Sequence, residues 1–537
     1  MTFKAFPYTP DDVKALQNPA IQLYGNRLFS DQTVSELLSE FLLMAFSPKQ
    51  AGRATFETAL PSLEQLCTWD NTPLKYAPKT RLNLKLFSFL GASRLDSRHQ
   101  THRDHHKLLI EKLHSQIQVE DLEHKQDIIR TIENLFLGFQ GAGSGRTWCA
   151  QSFLPISSGF LSGESIWKET KADRDNVNDW SELIEKRSSY FDMNQHLFFA
   201  RGGELLYLQV CNALRQPYRR IATWCQDGAF QLSADEQNPK WLHSQLNEAL
   251  LNLMNFCPDT LTALAEFIDT RLDPVTPESM DGPESNRRFV FAGWCNAESW
   301  QEGYLFAVDL LRLMQSNIDV MERIYLLETA CSMQVLRTLA MQSMRLMNGT
   351  KSCIGPDYRL AVSAPEENRP VIRRLSQQSV KAVEKIIFQS LRSNAINLPE
   401  DEGERNKKLK HADRYYGSKL FVGLSKRLGF VVPKRGSGAR FVLNEQLLRL
   451  LVVTTVPVGG RLTFDTFKEL LERRHGLVFD AKGLDRASER LCGKGIYLPA
   501  DTDQWLQEML EAAGFLIHLS DSCALIHNPA DDREEDQ

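Results

Sequence analysis

The stretch Ser418-Lys419-Leu420-Phe421-Val422-Gly423-Leu424-Ser425-Lys426-Arg427-Leu428-Gly429-Phe430-Val431-Val432-Pro433-Lys434-Arg435-Gly436-Ser437-Gly438-Ala439-Arg440-Phe441-Val442-Leu443 changes its period halfway along. Leu420, Leu424 and Leu428 recur every four positions, the spacing of one helical face. Lys419, Lys426 and Arg427 lie off that face. Ser418 can cap the helix and Gly429 stands where a helix stop belongs. Gly423, inside it, costs about 1 kcal/mol against alanine. From Phe430 onward two β-rich runs flank a glycine-containing turn, which predicts a hairpin with Lys434 and Arg435 at its tip.

Upstream, a helix is predicted after Pro370. Val380, Val383, Ile387 and Leu391 share one face, with Lys381, Lys385 and Arg392 elsewhere. Another helix is expected from about Arg405 to Tyr416, and Gly417 breaks the chain after it. Three helices followed by a hairpin is the order of a winged helix-turn-helix. Its third helix would be offered to the major groove, with the hairpin as the wing.

Charge supports the same reading. Between Arg405 and Arg440 there are eleven basic residues and one acidic one, Asp413, a local excess of ten. The whole chain carries 63 Lys+Arg against 68 Asp+Glu, a net charge of −5. Segregation of this kind marks a phosphate-binding face. The candidate nucleic-acid contacts are Lys419, Lys426, Arg427, Lys434, Arg435 and Arg440, with double-stranded DNA as the expected partner. A winged-helix fold with a solvated basic face, used only for protein contacts, is the competing reading.

A second unit of the same plan is expected downstream. Thr466-Phe467-Lys468-Glu469 has capping-box spacing ahead of a helix carrying Leu470 and Leu471. A short helix with Leu484, Ala487 and Leu491 should stop at Gly493. A third should start near Asp501, pair Trp505 with Met509, and end at Gly514. The runs 515–519 and 523–527 form another hairpin. The unit lacks the basic excess, so packing or protein contact suits it better. The stretch after Arg461 is therefore expected to be dispensable for DNA contact.

The remainder is mostly helical in pattern, and a length of 537 residues suggests three or four domains. Glycine- and proline-rich breaks near 138–145, 273–283 and 355–370 set the expected boundaries: a helical domain over 1–140, a mostly helical one over 141–365, a basic winged-helix-like unit over 366–460, a second over 461–530, and an acidic tail over 531–537. The fold class is thus mainly α and multi-domain. Trp300 to Met347 reads as two long packed helices, and the methionines at 333, 341, 344 and 347 as core filling. Residues 288–292 are a strand candidate. A hydrophobic share of 42% with 24% charged residues excludes disordered, collagen-like and disulfide-scaffold chains.

No signal segment and no membrane span are expected, since the apolar run 41–46 is far too short and 447–458 holds Arg449 and Pro457. The expected location is the cytoplasm. The 10 cysteines stand singly, with no Cys-x-x-Cys, as buried reduced thiols would. Six of 12 histidines fall between His99 and His124. His102 and His106 share a helical face, but no local third ligand is evident and Arg98, Arg103 and Lys107 would repel a cation. A solvated helix or a phosphate-contacting face competes there with a metal site. The glycine-rich run before Thr147 fails as a phosphate loop, because Gln140 and Arg146 stand where glycine and lysine are needed. Glu204 opens a helix. The Pro-Asp pairs at 10, 258 and 356 are not followed by the strand a metal-dependent nuclease needs. No cofactor is implied.

The phrases Gly429-Phe430-Val431-Val432-Pro433-Lys434-Arg435-Gly436 and Gly514-Phe515-Leu516-Ile517-His518-Leu519-Ser520-Asp521-Ser522 resemble accessory proteins of multi-gene bacterial antiviral defence islands, of the Druantia or Zorya kind. The resemblance covers only the C-terminal part of the chain. The paired Glu and His signature of the Zorya type has no counterpart here, which favours the Druantia type. No functional residue carries over. The resemblance implies a non-catalytic, DNA-contacting or scaffolding component beside other proteins of the same operon, among them a helicase or nuclease. A stand-alone transcription regulator and an enzyme with an unrecognised site are the alternatives.

Overall fold

A computed structural model describes residues 4–10, 18–25, 28, 30, 32–78, 100–119, 121–137, 161, 166–167, 177–185, 191–192, 202–255, 263–264, 266–267, 270–271, 289–348, 358–520 and 523–529. The fold is mainly helical, as expected. Among the described residues no helix is long and apolar enough to cross a membrane. The glycine-rich run 138–147 and the tail 531–537 lie outside them.

The N-terminal part holds helices α1 (Pro19–Tyr24) and α2 (Val34–Phe46) and strands β1 (Ala5–Phe6), β2 (Lys49–Ala51), β3 (Ala54–Phe56) and β4 (Leu74–Tyr76). Thr33 and Glu36 form a reciprocal capping box at the start of α2. Helices α3 (Gln100–Gln116) and α4 (Leu122–Leu137) follow. The backbone of the His102 and His106 segment is thus helical, but those two side chains lie outside the described residues.

The centre is built from α5 (Gly202–Leu214), α6 (Tyr218–Gly228), α7 (Pro239–Asn255), α8 (Trp300–Gln315) and α9 (Val320–Asn348). The two long helices expected over 300–347 are α8 and α9. Met341 and Met344 are buried, whereas Met321 and Met347 face solvent. Strand β5 (Val290–Phe291) pairs with β4, and β6 (Cys295–Asn296) pairs with β1. Helix α5 lies closely against two neighbours because glycine allows it. A β-carbon on Gly203 would stand 2.3 Å from Leu37 O of α2, and one on Gly303 of α8 would stand 2.5 Å from Gln209 O of α5. Neither distance is tolerable, so backbone meets backbone where a side chain would hold the helices apart.

The C-terminal part begins with β7 (Leu360–Ala361), α10 (Pro370–Ser390), α11 (Glu402–Tyr415), α12 (Ser418–Arg427), β8 (Val431–Val432) and β9 (Arg440–Phe441). It continues with α13 (Glu445–Thr455), β10 (Arg461–Thr463), α14 (Phe464–His475), β11 (Leu477–Val478), α15 (Ala481–Cys492), α16 (Gln504–Ala512), β12 (Leu516–Ser520) and β13 (Cys523–His527). The predicted helices and both hairpins fall where the sequence places them, α13 is an addition, and two caps are displaced. Ser418 is the first residue of α12; Gly417 holds the cap position and makes no side-chain bond. Strand β10 runs straight into α14, so Thr463 is its cap and accepts from the Thr466 amide at 3.2 Å. Thr466 therefore sits one turn inside the helix.

A strap over 360–363 ties these elements together. Strand β7 pairs in parallel with β11, and Ser363 bridges to Val442 beyond β9. Strand β13 lies between β10 and β12 in a three-stranded sheet. One contiguous apolar core runs from Phe6 to Ile526 and includes Phe306, Leu339, Leu420, Leu451 and Phe467.

Inside that core lies a knot of charge. Arg312 makes a bidentate pair with Glu236 at 2.6 and 2.8 Å and donates to Thr454 O at 2.7 Å. Asp309 accepts from Arg337 at 3.3 Å and from Arg474 of α14. Arg474 also donates to Thr454 O, at 3.0 Å, and is fully buried. Helix α14 thus reaches into the central helices. The stretch after Arg461 supplies strand β11, Arg474 and part of the common core. Removing it would leave Asp309 with Arg337 alone and the β7 edge without its partner strand. Asp309→Ala should cost about 3–5 kcal/mol of stability, because it strands two buried guanidinium groups. Glu445→Ala removes only an exposed i,i+4 pair with Arg449 and should cost about 0.5 kcal/mol or less. Urea unfolding of the two variants measures the contrast.

Candidate nucleic-acid interface

Helix α10 is the frame of the basic face. Pro370 at its first position needs no hydrogen bond there. Ile372, Leu375, Val380, Val383 and Ile387 face inward. The opposite ridge carries Arg374, Lys381, Lys385 and Phe388 and continues onto Arg392 just beyond the helix end. The steps from Arg374 are seven, four, three and four residues, one face of a helix. Arg374, Lys381, Lys385 and Phe388 are exposed.

Helix α12 packs on α10 through Leu420, Phe421 and Leu424. Lys419 and Arg427 are exposed, and Lys426 is half-buried. Arg427 donates to Ser30 O at 3.0 Å, which moors one guanidinium nitrogen to the N-terminal part. Lys426 lies near Glu384 of α10, as does Lys381. Burial raises the Glu384 carboxyl above its usual range, and the two lysines pull it back. The α12 charges and the α10 ridge therefore join into one field.

The hairpin is fastened to the same helix. Ser376 of α10 donates to Phe441 O at 3.1 Å and accepts from the Phe441 amide at 2.8 Å. Phe430 and Phe441 stack beneath with ring centres 4.7 Å apart. The turn 433–438 is exposed throughout, with Lys434 and Arg435 at its tip. Gly436 (φ 95°) and Gly438 (φ 82°) take left-handed conformations that glycine adopts without strain. A β-carbon on Gly438 would lie 3.5 Å from Gln377 Nε2, so the turn leans on α10.

Arg440 differs from the other five candidates. It is buried, and its guanidinium donates to Ser363 Oγ at 2.9 Å, Ala364 O at 3.2 Å and Pro365 O at 2.8 Å. It braces the strap instead of facing solvent: β9 puts Phe441 in the core and Arg440 on the opposite face, where residues 363–365 cover it. The acidic residue of the segment is also accounted for: Asp413 forms a bidentate pair with Arg392, at 3.0 and 2.5 Å. Sequence reasoning left Arg374, Lys381 and Lys385 out of the contact set. Their spacing was the signal that could have included them.

Glu204, singled out by sequence, serves the fold, as do three other buried polar groups. Glu204 is buried and accepts from Tyr76 OH at 3.1 Å and from the Gly293 amide at 2.6 Å. Lys49 is buried, donates to Ala45 O and Ser47 O at the end of α2, and is pushed down by burial to about 7. Glu302 lies under Arg345 and Gln342. His475 accepts from Arg337 at Nδ1, 3.0 Å away, so its proton sits on Nε2. Burial and the charges of Arg337 and Arg474 hold that ring well below the usual histidine range. Among the described residues, no group of three His, Cys, Asp or Glu could hold a metal ion. Two adjoining cavities behind α10, of about 50 and 20 Å³, share Ala340, Tyr358 and Leu360. They are the size for a few waters at most.

No protein-family model, curated protein or solved structure matches this chain.

The placement separates two classes of arginine. Arg440→Ala should lose about 2 kcal/mol of stability, since three carbonyl and hydroxyl acceptors lose a charged donor. The double change Lys434→Ala with Arg435→Ala alters an exposed turn and should stay within about 0.5 kcal/mol of the parent. Thermal unfolding followed by circular dichroism distinguishes them.

Proposed function

We propose that this protein contacts double-stranded DNA through α12 and the β8/β9 hairpin tip, and acts without catalysis of its own as a scaffolding component of a bacterial antiviral complex. The observation that carries the first half is convergence. Lys419, Lys426, Arg427, Lys434 and Arg435 come from two elements, and both are fastened to one helix whose outer ridge is itself basic. The nearby carboxylates are countered: Asp413 by Arg392, Glu384 by two lysines. Phosphates would meet a continuous positive surface.

Topology supports a winged-helix reading of both C-terminal units. In the first, α10, α11 and α12 precede the hairpin. In the second, the order is β10, α14, then α15 and α16, then the hairpin, with β13 central in the sheet. The helix before the second hairpin, α16, exposes Gln504, Glu508 and Glu511. That surface would repel phosphate, so protein docking is its better use. The defence setting, with Druantia-type favoured, rests on the C-terminal resemblance. It implies neighbours that supply the helicase or nuclease step. The buried carboxylates Glu236, Glu302 and Asp309 are engaged with arginines in the core and are not presented to a substrate.

Counterion release sets the test. Binding of fluorescent duplex DNA should fall steeply with salt, and Ala at Lys426, Arg427, Lys434 and Arg435 together should flatten the log–log slope by about 3 to 4. The same variant should lose phage protection in a plaque assay with the whole operon present. Unchanged affinity in the variant would refute the interface.

A further inference from the structure

One residue on the α10 ridge does not belong on a surface that only holds phosphates. Phe388 is 44% exposed, and the rest of the ridge from Arg374 to Arg392 is cationic or polar. A single exposed aromatic is ordinary. This one has a built environment. The Arg392 guanidinium carbon lies 3.4 Å from its ring centre, in van der Waals contact with the ring. Arg392 is in turn gripped by both carboxylate oxygens of Asp413 on α11. Ring and guanidinium are therefore fixed as a pair before any ligand arrives.

In a duplex the π-faces of the bases are hidden in the stack, so a protein aromatic face is useful only to bases that are unpaired. The charge on either side points to such a strand. Lys381 and Lys385 lead along the ridge from Lys426 to Phe388. Seven residues of helix, about 10 Å, separate Lys381 from Phe388.

We propose that Phe388, stacked on Arg392, is a platform for an unpaired base, so that the ligand of this protein is duplex DNA continued by a single-stranded tail. The inference rests on the duplex interface proposed above, and the two can fail separately. Lys381 and Lys385 would carry the backbone of the departing strand, and Phe388 its first splayed base.

Fluorescence anisotropy on the full chain is the test, with a blunt duplex, the same duplex bearing a single-stranded tail, and the tail strand alone. The tailed duplex should bind on the order of tenfold tighter than the blunt one, the worth of one stacked base. Phe388→Ala should erase that gain and leave blunt-duplex affinity unchanged. Phe388→Trp, which keeps a π-face, should preserve it. Circular dichroism checks that both variants fold. Equal affinity for blunt and tailed duplex, or a tail gain that survives Phe388→Ala, would overturn the platform while leaving the duplex interface standing. No binding of blunt duplex at low salt would overturn the interface instead. Binding of the lone tail strand as tight as that of the tailed duplex would overturn the junction form of the ligand.

Discussion

A single buried carboxylate, Asp309, sets how the two halves of this molecule meet. It projects from the central helix α8 and receives Arg337 from α9 and Arg474 from α14. Arg474 is completely buried; burial pulls its guanidinium down to about 10, with Asp309 opposing that and Arg312 and Arg337 adding to it. It stays charged at neutral pH and must have its partner. Such a cluster is costly to desolvate and adds little net stability over an apolar packing of the same shape. Its effect is on geometry. An arginine that must find one carboxylate and the Thr454 carbonyl fixes α14 in depth and rotation, whereas apolar contacts alone would tolerate a slide.

That fixed docking reaches the basic face through a short chain of elements. Helix α14 leads directly into β11, and β11 pairs with β7 on the strap. The strap bridges to Val442, and Arg440 braces it from the hairpin side. Helix α10, which carries the basic ridge, packs on α9 on one side and on β9 on the other. The basic groups proposed to meet phosphate therefore sit on helices held by the core, except Lys434 and Arg435 in the exposed turn. Rigid placement of this kind lowers the ordering cost of binding.

Much of the C-terminal architecture was legible because its signals are local. Four-residue apolar spacing marked α12 and α10, glycines marked the helix ends at 429, 493 and 514, and β-rich runs marked both hairpins. The cap of α14 was misplaced because the strand ahead of it left no polar gap to read. Arg440 was misread because charge says nothing of direction; only the pairing of β8 with β9 turns it inward. The Asp309 cluster was invisible, since its members lie up to 165 positions apart and each alone looks like a surface charge. Nothing in the local pattern explains Gly303, and its reason appears only when Gln209 O is found beside it.

The charge distribution carries the functional argument one step further. With −5 overall and an excess of ten between Arg405 and Arg440, the rest of the chain carries −15. An acidic body behind a basic face orients an approaching polyanion before contact, and it discourages DNA from wrapping onto other surfaces. The second C-terminal unit belongs to that acidic body even though its helix and hairpin order parallels the first. Two units of similar plan but opposite charge cannot both grip one duplex. On the function proposed above, the first would meet the nucleic acid, and the second, tied to it through β7 and β11, would hold a protein partner at a fixed position relative to the DNA.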